Sequence, residues 1–248
     1  MFNTKISKVL SRLEEQSKRE RLGEVVIPRP EMMLAITLDT GMFFNITLKA
    51  MRAKRILEIG TSSGYSTLWF AEALMQIGEV SNTRQEKTII TIEMDHSKIE
   101  RANKNFDESG VKDLIDLKEG QADDILSEIS KNYHNENYLK NEDRLFDFVF
   151  FDADKENLRY YFDLVLPMVR VGGIIATDNI LYPEEYRPMM IDYINYIKNK
   201  PNIESVMVPI GNGEELTIKL AWTWSFHYVF SLCYLWFFVD IKIEYSEN

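Results

Sequence analysis

The feature that most constrains the fold is an alternation of short apolar runs with longer amphipathic segments between residues 55 and 220. The apolar runs have the length of strands, and the segments between them have the length of helices. Strands that alternate with helices predict βαβ units and a parallel sheet covered on both faces. The predicted strands are 55–59, 88–93, 114–118, 146–151, 172–177, 203–209 and 215–220. The predicted helices between them are 64–76, 97–109, 122–129, 158–170 and 189–200.

Two helical segments are predicted before the first strand, one in an amphipathic stretch that starts the chain and one over 31–51. The sequence therefore predicts one α/β domain over 1–221, with N-terminal helices in 1–51 and a sheet core in 52–221. Residues 222–248 form a separate aromatic-rich tail.

Charge and cysteine content exclude several classes of function. The formal net charge is −10, from 39 acidic and 29 basic residues, and an acidic chain is poorly suited to sequence-independent nucleic-acid binding. The single cysteine, Cys233, excludes disulfides within the chain and cysteine-based zinc sites. Residues 1–21 carry charges throughout and lack the apolar stretch of a secretory signal, so we expect a cytoplasmic protein.

The tail has a composition of its own. Residues 220–239 contain no Asp, Glu, Lys or Arg, and three of the four tryptophans lie in the tail. Three interpretations stay open. The segment is long enough to contact or span a membrane, with aromatic residues at the interface. It is equally suited to an additional packing or dimerisation element, or it is an altered reading frame without a selected role.

Ligands of parallel α/β sheets bind beyond the carboxyl ends of the strands. After the first strand, Gly60 and Gly64 permit a tight turn, and the carboxylate of Glu58 lies just before them. The spacing matches neither GxGxxG nor a P-loop, which disfavours nicotinamide dinucleotides and triphosphates. The turn suits a cationic, amino-acid-like ligand, although a plain strand-to-helix turn has the same pattern. Glu93, at the second strand end, is either a ligand of a ribose diol or a solvated acid.

The fourth and fifth predicted strands end in Asp152 and in Asp178-Asn179. If these strands are neighbours, three side-chain oxygens converge, a set that favours a hard cation such as Mg²⁺. The alternative is a helix cap and an Asx turn. Lys155, three residues beyond Asp152, is either a general base or an ordinary exposed lysine.

Taken together, these motifs resemble the cation-dependent, S-adenosylmethionine-dependent O-methyltransferases of the catechol and caffeoyl-CoA type. The resemblance rests on RILEIGTSSGYSTLWFA at 55–71, FDFVFFDADK at 146–155 and VGGIIATDNIL at 171–181, and more weakly on 208–219. It implies a Rossmann-like class I methyltransferase fold, with a seven-stranded, mostly parallel sheet, helices on both faces and an antiparallel last strand. It also implies assembly as a homodimer.

The resemblance implies a role for each candidate residue. The residues implied to bind S-adenosylmethionine are Glu58, Gly60 and Ser66 for the methionine portion, Glu93 for the ribose, Ala122 for the adenine, and Asp152 beside the donor. The residues implied to bind a divalent cation, expected to be Mg²⁺, are Asp152, Asp178 and Asn179. The implied catalytic residues are Lys155, as the base, and Asp152.

The resulting hypothesis is methyl transfer to a hydroxyl of a small, catechol-like aromatic acceptor. A metal-held acceptor hydroxyl would lose its proton to Lys155 and attack the donor in line. One alternative is a tRNA hydroxynucleoside O-methyltransferase of the same fold, which the acidic charge disfavours. Another is a non-catalytic, donor-binding or membrane-tethered protein in which the tail carries the function.

Overall fold

The computed structural model describes residues 4–28, 31–78, 88–133 and 142–221. The strands are β1 (Ile56–Ile59), β2 (Ile89–Glu93), β3 (Ile115–Glu119), β4 (Phe146–Phe151), β5 (Val169–Thr177), β6 (Ile203–Val208) and β7 (Glu214–Lys219). The helices are α1 (Thr4–Arg21), α2 (Leu38–Ala50), α3 (Tyr65–Ile77), α4 (His96–Ser109), α5 (Ala122–Asn132), α6 (Leu158–Val165) and α7 (Arg187–Lys198).

The strands form one seven-stranded sheet in the order β3-β2-β1-β4-β5-β7-β6. The pairs among β1 to β5 are parallel, whereas β7 is antiparallel to both of its neighbours. This topology confirms the predicted Rossmann-like, mostly parallel sheet and its antiparallel last strand. The order reverses at β1, so the carboxyl ends of β1 and β4 meet at the switch point where ligands bind in such sheets.

Helices cover both faces of the sheet. Helices α1 to α4 pack on one face, where Phe44 contacts the rings of Phe70, Phe148 and Phe150 at centroid distances of 5.2–6.3 Å. Helices α5 to α7 pack on the other face around a second apolar cluster that includes Phe162 and Tyr193. The central strand β4 is buried along its whole length because it contributes alternate side chains to both clusters.

Two predicted helices were too long. The segment predicted as a helix over 31–51 is helical only from Leu38, where the Thr37 hydroxyl accepts a hydrogen bond from the Thr40 N–H and caps the first turn. The helix predicted over 158–170 ends at Val165, and a short 3₁₀ turn containing Pro167 leads directly into β5 at Val169. Proline lacks the N–H that a continuing helix requires, and β-branched valines favour the strand.

No helix in the described part of the chain is long and apolar enough to cross a membrane. The tail at 222–248, with the membrane, packing and reading-frame interpretations attached to it, lies outside the described residues.

Candidate active site

The turn after β1 brings two strand ends into contact. Gly60 has φ +105°, and a Cβ built on it would overlap the backbone carbonyl of Asp152 at the end of β4. The backbone N–H of Asp152 donates to the carbonyl of Ile59 at 2.9 Å. Glycine is therefore required at position 60 both for its backbone conformation and for the close approach of β4.

Glu58 lies beneath this turn and is fully buried. Its carboxylate accepts hydrogen bonds from the hydroxyls of Ser66, Thr67 and Thr91, the last at 2.6 Å. Burial raises the pKa of Glu58 to about 7, and the three hydroxyl donors oppose that rise. In this conformation Glu58 and Ser66 bond to each other and hold the turn from below.

Glu93, at the end of β2, organises the neighbouring loop. Its carboxylate accepts the backbone N–H groups of Ser62 at 2.8 Å and of Met94 and Asp95 at 3.0 Å each. The residue is half-buried and faces the cavity described below. The carboxylate is thus held at the position where a ribose-binding acid was predicted.

Asp152 and Asp178 are brought together by the pairing of β4 with β5. Phe151 is in register with Thr177, and the N–H of Asp178 donates to the Phe151 carbonyl at 3.0 Å. The two aspartates are therefore the next pair of residues along adjacent parallel strands. Burial, followed by the nearby charge of Asp178, raises the pKa of Asp152 to about 7. Burial also raises the pKa of Asp178.

Lys155 is the cation that faces this pair. Its side chain is 5% exposed, and its Nζ lies 3.5 Å from Oδ1 of Asp152. The interpretation of Lys155 as an ordinary exposed lysine is therefore wrong. Its charge opposes the effect of burial on the pKa values of Asp152 and Asp178.

Asn179 follows Asp178 with φ +69°, in the left-handed region that asparagine tolerates better than most residues. Its N–H donates to the carboxylate of Asp178, and its Nδ2 donates to the carbonyl of Tyr182 at 3.1 Å. Neither bond is that of an Asx turn, in which the Asp178 side chain would accept the N–H of Ile180; that N–H donates to the carbonyl of Gly213 instead. The Asn179 side chain nevertheless borders the cavity.

Glu214, the first residue of β7, is a buried acid that the sequence analysis did not single out. It is fully buried, and neither carboxylate oxygen receives a hydrogen bond from an N–H or O–H group among the described residues. Burial, followed by the charge of Asp178, raises its pKa well above the usual range. The available signal in the sequence was the pair of glutamates that begins the closing strand directly after the glycine loop at 211–213.

A cavity of about 880 Å³ opens at this edge of the sheet. The predicted site residues that line it are Gly60, Glu93, Ala122, Asp152, Lys155 and Asn179. Glu58, Ser66 and Asp178 are buried behind its wall. Asn212, before β7, lines it without having been predicted, and so do several residues of α1 and the following segment.

No group of three His, Cys, Asp or Glu side chains within 4–28, 31–78, 88–133 and 142–221 is arranged to hold a metal ion. The predicted cation site has only two carboxylates and takes its third oxygen from the amide of Asn179, so it is not of that type.

Comparison with known proteins agrees with this architecture. The profile of the O-methyltransferase family matches residues 9–220. Caffeoyl-CoA O-methyltransferase 1 of Arabidopsis thaliana is 30% identical over 223 residues, which cover 84% of this chain and 80% of that protein. Caffeoyl-CoA O-methyltransferase of Petroselinum crispum is 30% identical over 224 residues, which cover 84% of this chain and 86% of that protein.

A solved structure shares the fold. The O-methyltransferase TomG from Streptomyces achromogenes, crystallised in complex with SAM, superposes with a TM-score of 0.63 at 24% identity, over 86% of this chain and 90% of that chain. Because the family profile spans most of the sequence, the chain belongs to the O-methyltransferase family, the S-adenosylmethionine-dependent enzymes that its motifs predicted.

Proposed function

We propose that this enzyme is a divalent-cation-dependent O-methyltransferase that methylates a hydroxyl of a small, catechol-like aromatic acceptor. The observation that carries the proposal is the position of Asp152. Its backbone abuts the glycine turn after β1, and its side chain lines the cavity with Lys155 and lies next to the buried Asp178. A methyl donor bound at the turn and a methyl acceptor bound beside the two aspartates would therefore both lie next to Asp152.

The proposed donor site lies on the side of the cavity formed by β1, β2 and α5. The carboxylate of Glu93 would accept the hydroxyls of the ribose, and Ala122 at the start of α5 would contact the adenine. Gly60 would let the methionine portion approach the backbone, and Glu58 with Ser66 would hold the turn in place. The SAM complex of TomG, a relative in fold, supports a donor in a site of this kind.

The residues present fit a divalent cation. Asp152, Asp178 and Glu214 place three acidic groups in one buried region. The positive charge of Lys155 lowers the pKa of each of them against the effect of burial. Two carboxylates and an amide oxygen are the ligands that Mg²⁺ prefers. Asp152, Asp178 and Asn179 would hold the ion, with the remaining positions open to water and the acceptor.

The chain's own part in the reaction is alignment and proton transfer. In-line displacement at a sulfonium needs the acceptor oxygen held close to the methyl group, which the junction at Asp152 provides. Lys155 would take the proton of the acceptor hydroxyl at its Nζ, at the edge of the cavity. When bound, a divalent cation would stabilise the phenolate oxygen.

The test is transfer of labelled methyl from S-adenosylmethionine to a panel of catechols and to bulk RNA, with Mg²⁺ and with a chelator. We expect chelator-sensitive labelling of catechols. Turnover that is unchanged by the chelator would overturn the cation dependence, and labelling of RNA alone would overturn the acceptor.

Lys155→Met tests the base. We expect turnover to fall by about 10²-fold or more, the contribution of a general base, while donor affinity stays within about twofold. Lys98→Met is the matched control, because Lys98 lines the same cavity beside Glu93 and Asp95 instead of Asp178. An equal loss of turnover in both variants would contradict the assignment.

We also propose a homodimer. Leu38, Met42 and Ile46 form an apolar stripe on α2 and are 44–64% exposed, and a second copy could cover it. Light scattering of the full chain would measure the mass, and a monomer at micromolar concentration would contradict the proposal.

A further inference from the structure

We propose that Glu214 is a positioning residue of the cation site, a third anionic group that sets cation affinity through Asp178 without ligating the ion itself. The inference rests on the proposed cation dependence and adds a residue to it.

The register of the sheet places Glu214 opposite Asp178. In the antiparallel pair of β5 with β7, Thr177 faces Glu215, so the next pair of positions is Asp178 with Glu214. The two side chains also lie within hydrogen-bonding reach of each other. Beyond this pair the register shifts by one residue, since the N–H of Ile180 donates to the carbonyl of Gly213 at 3.0 Å. Residues directly opposite in an antiparallel pair lie on the same face of the sheet. Asp152, Asp178 and Glu214 therefore follow one another across three adjacent strand ends.

Glu214 lacks a donor of its own in the described part of the chain. The group close to it is the carboxyl of Asp178, and two carboxylates can bond to each other only by sharing a proton. An uncompensated charge buried in protein is costly, so natural structures pair such groups or place them around metal ions. The arrangement indicates a missing positive charge next to Asp178.

The missing charge must be small. Glu214 is fully buried, Asp178 is 2% exposed, and neither borders the cavity, so an organic ammonium group in the cavity could not reach either carboxylate. Glu214, Asp152 and Asp178 do not together form a metal-binding group. A cation held by Asp152, Asp178 and Asn179 would instead have Glu214 behind one of its ligands, in the position from which such partners usually tune metal affinity.

The neighbouring residue provides a matched control. Glu215 is equally buried, but its carboxylate accepts a hydrogen bond from the Ser205 hydroxyl and has Lys198 Nζ at 3.8 Å. It follows Glu214 in the strand, so its side chain points to the opposite face of the sheet. Glu215→Gln therefore removes a buried charge of the same strand without touching Asp178.

The experiment measures two quantities on the full chain: Mn²⁺ affinity, from the free-ion signal in electron paramagnetic resonance, and the melting temperature of the cation-free protein at pH 8. We expect Glu214→Gln to weaken Mn²⁺ binding about 10- to 100-fold. We also expect the cation-free melting temperature not to fall, because Glu214 accepts no hydrogen bond from an N–H or O–H group among the described residues. Glu214→Asp should keep Mn²⁺ affinity near that of the unmodified protein.

Glu215→Gln should leave Mn²⁺ affinity unchanged and lower the melting temperature. Glu214→Met, which is also uncharged and similar in volume, repeats the affinity measurement if the glutamine variant does not fold. Unchanged Mn²⁺ affinity in the uncharged Glu214 variants overturns the inference. If Asp178→Asn still weakens binding, the proposed function survives that result. If the unmodified protein binds no Mn²⁺ or Mg²⁺, the proposed cation dependence fails as well.

Discussion

Two buried glutamates at the same edge of the sheet have opposite surroundings. Glu58, at the β1 turn, is surrounded by three hydroxyl donors that lower its pKa against the effect of burial. Glu214, at the start of β7, is surrounded by the acidic groups of Asp178 and Asp152, which raise its pKa further. Both are fully buried, so the difference lies in the partners and not in the exposure.

The two sides of the site therefore differ in whether their buried glutamate has hydrogen-bond donors among the described residues. The β1 side has its hydrogen bonds made within the chain, so it is preorganised before any ligand binds. The β5–β7 side has more buried acidic groups than hydrogen-bond donors among the described residues, which is why we propose a cation there. Variants on the β1 side should therefore mainly change the stability of the fold, whereas variants on the β5–β7 side should mainly change the affinity for a cation.

The largest effect is expected from Gly60→Ala, which breaks the contact between the two sides. The new methyl group would collide with the backbone carbonyl of Asp152, which cannot move without displacing β4. We expect a loss of about 4 kcal/mol or more in the free energy of unfolding, measured by urea denaturation. Gly78→Ala is the control, because Gly78 also has positive φ but nothing lies within 4 Å of its added Cβ. Equal losses in the two variants would contradict the role of the contact.

The fold could be predicted from the sequence because it depends on patterns that repeat locally. Apolar runs such as 146–151, alternating with helical segments, were enough to predict the parallel sheet. The helix ends were predicted less well. The helix predicted over 158–170 was too long. Its amphipathic pattern continues past Val165, but Pro167 and the valines after it favour a turn and a strand.

The site was predicted only in part, because motifs report single strand ends and not the pairing between distant ones. Asp152 and Asp178-Asn179 stand at strand ends, so the sequence could single them out as candidates, and the pairing of β4 with β5 brings the two aspartates together. Glu214 was missed because its importance depends on the register of β5 with β7, which no local pattern specifies. Likewise, the sequence could not show that the Glu58 carboxylate faces three hydroxyls instead of the cavity.

The next largest effect is a dependence of the free energy of unfolding on pH, which arises from Glu58 on the β1 side. The folded-state pKa of Glu58 is about 7, above its unfolded value of 4.5, so the folded protein holds this proton more tightly. Stability should then fall as pH rises from about 4.5 to about 7 and level off above that, by at most about 3 kcal/mol for this group. Urea denaturation across this range, with saturating Mg²⁺ to suppress the contribution of the β5–β7 side, measures it. If the free energy of unfolding of Glu58→Gln depends on pH as steeply as that of the unmodified protein, other groups are responsible for the dependence.

Glu58→Gln itself should have a moderate cost at pH 5.5, where the folded protein carries the Glu58 proton. An amide offers one accepting oxygen where Ser66, Thr67 and Thr91 converge, so one hydroxyl loses its partner. We expect a loss of about 1–2 kcal/mol in the free energy of unfolding, shrinking as pH rises. At the same pH, Glu214→Gln in the cation-free protein should not lower the free energy of unfolding, because Glu214 accepts no hydrogen bond from an N–H or O–H group among the described residues. The same sign for both variants would remove the distinction between the two sides.

The smallest effect is expected from Lys198→Met, which tests whether any change of charge near β7 alters the cation site. Lys198 is half exposed and lies 3.8 Å from Glu215, so water screens the pair. We expect a change under about 0.5 kcal/mol in the free energy of unfolding and no change in Mn²⁺ affinity. A strengthened Mn²⁺ affinity would mean that the net charge around β7 controls the cation site, because the loss of a positive charge favours a bound cation even without contact. In that case the opposition between Glu58 and Glu214 would reflect long-range electrostatics and not the contact with Asp178.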